Sequence, residues 1–309
     1  MNMNRNDFIL PVSIIKIQEK KLLTEQKLIR MIDTNTLKDI LKTLNDTEYA
    51  FSMAGVTNDE MYEEILFNET KRVFRFVREL AKKEQGIVDL IALKYEYQNL
   101  KLRLKNDYSN SDLEKHILDT GMPKNYFDKN LLIASKEKDL QKASILLDKM
   151  YLEDVYRISS DLNEEIFIKY RKAIIDKYNM VTFLRLKKQN KNIDFVENIF
   201  VDGGSISKDD IIKIYENETH ISVFKKLTIA KYWDRFEKDN NISEIEKMFD
   251  NMIINLAIEY RNVTIGPEPI FTYIIAKEYE MKALRLIMSG KLNNIDPELI
   301  KERLRGVYV

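Results

Sequence analysis

The chain has 309 residues, 50 basic and 50 acidic side chains, a formal net charge of +0 and no cysteine. That balance gives no field to draw nucleic acid or an anionic membrane, and the lack of thiols excludes disulfides, thiolate metal sites and cysteine nucleophiles. With only 8 glycines and 5 prolines a turn-dense β architecture is excluded too, so the expected fold class is all-α.

The first apolar segment, FILPVSIIKI, fits either a helix or a strand. Thr24 opens a short helical pattern, and Asp33-Thr34-Asn35 separates it from TLKDILKTL. Long helices are predicted over residues 59–83, ending near Gly86, and over 87–105. TGMPKNY interrupts short helices, after which 129–157 and 161–189 read as helical, with parts of 179–186 again compatible with a strand. VDGGSIS, at 201–207, is the clearest turn, because paired glycines supply positive φ. Short helices, a long one over 242–261 and GPEP follow, with Glu268 and Pro269 suited to a first helical turn before the final helices run to the end. No Pro-rich or Ser-rich linker marks a boundary, so 1–309 is read as one domain. The longest uncharged run, Tyr49 to Asn58, falls short of the roughly 18–20 apolar residues a bilayer span needs. MNMNRNDF lacks the order of a secretory signal, and a cytosolic protein is expected.

A repeat underlies the helices. At an offset of 184, Ala92, Tyr95, Glu96, Leu100, Lys101 and Leu102 meet Ala276, Tyr279, Glu280, Leu284, Arg285 and Leu286 without a gap, and Asn110, Asp112 and Glu114 meet Asn294, Asp296 and Glu298. Leu184-Arg185-Leu186 begins a weaker third copy, and QEKKLLTEQKLIRMI resembles a degenerate fourth.

On a helical wheel, Glu278, Lys282, Arg285 and Ser289 make one narrow polar strip, as do Lys94, Gln98, Lys101 and Lys105. Lys277 and Glu280 fall outside it, where the helix should be apolar; Glu96, Asn99 and Arg103 do so in the earlier copy. Three readings compete for Lys277 and Glu280: a partly exposed ion pair of about 0–1 kcal/mol, a polar seam facing an interior channel or a partner, and a catalytic acid.

Little else points to chemistry. His116 and His220 stand outside metal-ligand spacing, so no metal or cofactor is expected and both read as surface or capping residues. MSGKLN lacks the remaining features of a phosphate-binding loop; Gly290 reads as a helix end, with Lys291 complementing the dipole. The basic stretches LKLRLK and RLKKQNK are solvated faces or docking sites for an acidic partner.

The segment GPEPIFTYIIAKEYEMKALRLIMSGKLNNIDPELIKERLR, over 266–305, resembles the C-terminal signature of the C subunits of archaeal and bacterial A/V-type rotary ATPases, relatives of the d subunits of eukaryotic V-ATPases. Its G-x-E-P, Y-x-x-A-K-E-x-E, L-R and G-K-x-N elements fall on Gly266, Glu268, Pro269, Tyr273, Ala276, Lys277, Glu278, Glu280, Leu284, Arg285, Gly290, Lys291 and Asn293. LKYEYQNLKLRLK resembles the family's central motif, on Tyr95, Glu96, Asn99, Leu100 and Lys101, with Glu96 where Asp is common and Gln98 where His is. The resemblance implies three pseudo-repeated helical bundles, with approximate limits 1–86, 87–175 and 176–309, around a pseudo-threefold axis. It implies a funnel with a central cavity that catalyses nothing. It further implies a cytoplasmic, peripheral component between the membrane rotor ring of proteolipid subunits and the D and F central-shaft subunits. Candidates for partner interface or cavity lining are Tyr95, Glu96, Arg103, Tyr273, Lys277, Glu280, Arg285, Lys291, Arg303 and Arg305. A free-standing helical-repeat adaptor and a carboxylate-based hydrolase are the alternatives.

Overall fold

Pro11 decides the ambiguous first segment. It lies in the first turn of helix α1 (Ile9–Glu19), where its missing N–H has no intrahelical acceptor to lose, so the apolar run continues as helix and not as strand. The computed structural model describes residues 3–56, 58, 61–109, 113–192, 199–216 and 242–309, and every regular element among them is helical. The Thr24 and Thr36 hydroxyls accept the N–H of Lys27 and Asp39, starting α2 (Glu25–Asp33) and α3 (Leu37–Asn45). The short α4 (Ala50–Met53) precedes the long α5 (Tyr62–Leu80) and α6 (Gly86–Ser109).

The stretch expected to be helical over 129–157 is broken. Helix α7 (Asp128–Ala134) ends, and the Asp139 carboxylate accepts from the N–H groups of Gln141 and Lys142 to start α8 (Leu140–Leu162). Asn163, with φ 51°, takes the left-handed conformation that turns the chain into α9 (Glu165–Lys188), and the strand alternative for 179–186 is overturned as well. There follow α10 (Lys208–Glu216), α11 (Ile242–Glu259), α12 (Glu268–Leu292) and α13 (Pro297–Arg303). His220 and the Asn110 and Asp112 positions of the repeat lie outside the described residues.

Two glycine expectations need correcting in their reasons. In the 201–207 turn only Gly203 has positive φ, at 104°; Gly204 is required because a Cβ there would lie 2.2 Å from Asp176 Oδ1, which accepts the Ser205 N–H at 2.7 Å. Asn179 pairs with both backbone groups of Val201, so helix α9 clamps the turn from two positions. Gly204→Ala is therefore expected to lower stability by about 1–3 kcal/mol, read by urea unfolding, since backbone and carboxylate cannot both stay in place. Gly290 does not end α12. It sits inside the helix because Ile300 of α13 lies 2.5 Å from where a Cβ would stand, and Asn294 takes the positive φ beyond the helix.

The final residues also leave the helix. After Arg303 the chain runs extended, with the Tyr308 hydroxyl donating to Glu19 at 2.6 Å and the Val309 carbonyl accepting the Glu25 N–H.

The chain forms two compact units. One comprises Met1–Tyr95, Leu118–Met122 and Ile254–Val309; the other comprises Glu96–Ile117 and Pro123–Ile253. The first is organised around α12, which presses Leu284, Ile287 and Met288 against Leu28, Ile32, Ile40 and Leu44. The second has a core of Met180, Phe183, Leu184, Phe200, Ile214 and Phe249 from α9, α10 and α11 and the connecting segment. Two of the boundaries fall inside α6 and α11, where the helical pattern is unbroken and no linker composition can mark them.

Candidate functional site

Helix α12 is buried on nearly every side from Glu268 to Leu284, so its charged residues cannot all reach water. Lys277 and Glu280 are 3% and 6% exposed, which overturns the reading of a partly exposed pair. One helical turn brings them together on α12, with Lys277 Nζ 2.6 Å from Glu280 Oε1. Helix α5 supplies the second acid: Lys277 Nζ lies 2.7 Å from Oε1 of Glu69, whose side chain is 0% exposed.

The remaining valences are filled. Tyr49 donates its hydroxyl to Glu280 Oε1 at 2.8 Å, and the Leu23 N–H donates to Oε2. Ser52 donates to Glu69 Oε2 at 2.7 Å, and Arg72 closes a two-pronged bond to the same carboxylate, at 2.8 Å on each oxygen. The Lys277 ammonium also lies 4.3 Å from the centre of the Tyr49 ring. Arg72 reaches Glu48 at 3.7 Å, and Lys21 reaches it at 3.0 Å. Lys21, Glu48, Arg72, Glu69, Lys277 and Glu280 thus form one chain of alternating charge running from a partly exposed end to a buried one.

Burial alone would raise the Glu69 carboxyl, but the Arg72 hydrogen bonds and the Lys277 charge outweigh it and bring it down to about 2. Burial alone would lower the Lys277 ammonium, and the Glu280 and Glu69 charges lift it to about 12. Burial, reinforced by Glu280 and Glu69, raises Tyr49 well above its ordinary value; burial also raises Tyr273, to about 12. Groups held this far from neutrality keep one protonation state near pH 7, which suits a structural lock and not general acid or base work. Among the described residues no group of three or more His, Asp or Glu is placed to hold a metal ion.

The repeat acquires a physical meaning at its basic position. Arg285 of α12 pairs with Glu63 of α5 at 2.8 Å, Lys101 of α6 with Asp148 of α8 at 2.6 Å, and Arg185 of α9 with Glu246 of α11 at 2.7 Å. In all three copies the L-[KR]-L cation therefore meets an acid on a neighbouring long helix, while Leu284, Leu100 and Leu184 are buried. These pairs are partly or largely exposed and each contributes at most about 1 kcal/mol; their weight lies in the shared arrangement. Lys94 and Glu278, which hold equivalent positions in two copies, pair with each other at 2.5 Å, so the two polar strips meet there.

The structure distributes the other candidates. Tyr95 packs edge-on to Phe74 with ring centres 5.3 Å apart, and Tyr273 does the same with Phe76 at 6.0 Å. Glu96 accepts from Asn99 at 3.1 Å, and Arg103 lines a small cavity of about 200 Å³ beside Asn106 and Glu114. Arg303 is exposed and its carbonyl accepts from Arg305 at 2.7 Å; Lys291 and Arg305 are half-buried. Sequence reasoning missed Glu69, Arg72, Tyr49 and Glu48. The signal for Glu69 was present, since it interrupts the apolar face Ile65, Leu66, Val73, Phe74 and Val77 of α5.

The ATP synthase (C/AC39) subunit family model matches residues 11–132 and 116–303. The chain belongs to this family. It is 23% identical to the C subunit of the V-type sodium ATPase of Enterococcus hirae, over 96% of this chain and 97% of that protein. It is also 23% identical to the C subunit of the A-type ATP synthase of Desulfurococcus sp. strain SY, and 21% identical to that of Thermococcus kodakarensis. Those two similarities each span 94% of this chain, and 89% and 88% of the respective relatives. No described helix is long and apolar enough to cross a membrane.

Proposed function

We propose that this family member is a non-catalytic rotor component of an A/V-type rotary ATPase. It joins the central-shaft subunits to the membrane ring of proteolipid subunits, on the cytoplasmic face, so that ATP chemistry and proton or sodium transport turn together. The observation that carries the reading is the similarity to the C subunits of such enzymes over nearly the whole of both chains.

The geometry supports it in two ways. A torque coupler needs stiffness, and the charged chain through Glu69, Lys277 and Glu280 ties α12 to α5 and to the segments bearing Leu23 and Tyr49 with directional bonds. The second support comes from the basic positions of the repeat. The three equivalent ion pairs link α6 to α8, α9 to α11 and α12 to α5, so the same position of each copy braces two long helices against each other. Arg285, Lys291, Arg303 and Arg305 are the interface candidates with surface to offer; Tyr273, Lys277 and Glu280 hold the interior.

The test is affinity purification of the tagged full chain from detergent-solubilised membranes of its own cell. Ring and shaft subunits are expected to co-purify in fixed ratio. Recovery of the chain alone, or with unrelated soluble proteins, would overturn the reading in favour of a free-standing adaptor.

A further inference from the structure

Helix α5 carries a second set of charges that the buried lock does not use. Lys71, Arg75 and Arg78 follow each other at spacings of four and three, and Lys82 continues the row just past the helix end. Cations so spaced face one side of a helix and repel one another there. The row lines a concavity of about 510 Å³ whose opposite wall is the segment bearing Asp119, Thr120 and Gly121.

Only one of the four cations is committed to the fold. Arg78 donates to Asp89 at 2.8 Å, to Gln85 at 2.8 Å and to the Thr120 carbonyl. Its side chain fills the space beside Gly121, where a Cβ would lie 2.8 Å from it. Arg78 therefore fixes the wall. Among the described residues no carboxylate lies within ion-pair distance of Lys71, Arg75 or Lys82; the Lys71 ammonium rests over the Phe67 ring, 4.2 Å from its centre. Two acids share the lining, but the Asp119 carboxylate is turned to the Gly121 N–H at 2.9 Å, and Glu79 is exposed.

We infer that this concavity binds a phosphate-bearing anion, held by Lys71, Arg75 and Lys82 against the wall that Arg78 fixes. A guanidinium fork between two ammonium groups matches the several acceptor oxygens of a phosphate, and row and wall present the charge in a concave site and not on a convex face. The row spans about 16 Å along the helix, enough for more than one phosphate. The same chemistry is offered by a soluble polyphosphate and by an acidic phospholipid headgroup.

The experiment uses the full-length chain and two probes: sodium tripolyphosphate in titration calorimetry, and flotation with phosphatidylcholine vesicles with and without phosphatidylglycerol. The variant is Lys71→Gln/Arg75→Gln/Lys82→Gln, and the control, Lys136→Gln/Lys138→Gln/Lys142→Gln, removes the same charge from positions elsewhere on the chain. At least one probe is expected to bind, more weakly as salt rises, with the variant weakening it about tenfold or more and the control less than about twofold. Tripolyphosphate alone binding identifies a soluble ligand, and phosphatidylglycerol vesicles alone identify a headgroup; either supports the site. Binding of neither probe, or equal weakening in variant and control, overturns it. Binding of polyglutamate with neither phosphate probe also overturns it and reassigns the concavity to an acidic protein partner.

Discussion

Lys277→Met is expected to lower the stability of the unit containing α12 by about 3–5 kcal/mol, because it leaves Glu69 and Glu280 buried with their shared cation removed. Methionine keeps much of the volume and the apolar stem, so the loss reports charge and not a cavity. Glu69 retains Arg72, whereas among the described residues Glu280 keeps the neutral donors Tyr49 and Leu23 N–H, and the penalty concentrates there. Adding Glu280→Gln to the variant is therefore expected to restore about 2 kcal/mol or more, although the same substitution alone destabilises the wild-type protein. Urea unfolding of the four proteins at one pH measures the cycle. Additive losses in the double variant would show that the two side chains do not act as a pair.

The sequence exposed one half of this lock and hid the other for a physical reason. Lys277 and Glu280 stand out because α12 is apolar outside its one narrow polar strip, so two charges violate a strong pattern. Arg72 borders the polar face of α5, where a charge reads as ordinary solvated helix, and Glu69, although it interrupts the apolar face, carries no mark of the cation that answers it. The distinction depends on which face meets α12, and that is a tertiary fact. Tyr49 and the Leu23 N–H, on segments between helices, carry no periodic signal.

Local punctuation behaved similarly. Thr24 and Thr36 were legible because a cap is satisfied within three residues. Gly204 and Gly290 looked like turn and terminus residues, yet each is glycine because a distant side chain, Asp176 or Ile300, occupies the place of a Cβ. The repeat register was legible along α6 and α12, while the acids answering its basic positions, Asp148, Glu246 and Glu63, come from different helices at unrelated spacings.

Acid should dissolve the lock at a characteristic pH. The Glu69 carboxyl falls from an ordinary 4.5 to about 2 in the folded chain, so its contribution is complete above 4.5 and is lost as pH drops through about 2. Because the side chain is fully buried no solvent discount applies, and the shift corresponds to about 3 kcal/mol. The raised Lys277 is the same coupling seen from its partner: that contribution is complete below 10.5 and is lost as pH rises through about 12, so the two are not summed. Glu69→Gln removes the titrating group while keeping the shape. The stability difference between wild type and variant is expected to stay constant above about pH 5 and to shrink steadily from there to the lowest pH at which both proteins remain folded, measured by urea midpoints across the series. Parallel curves over that interval would mean that Glu69 is not held ionised by Arg72 and Lys277, and the rigidity assigned to the α5 and α12 contact would then lack its electrostatic basis.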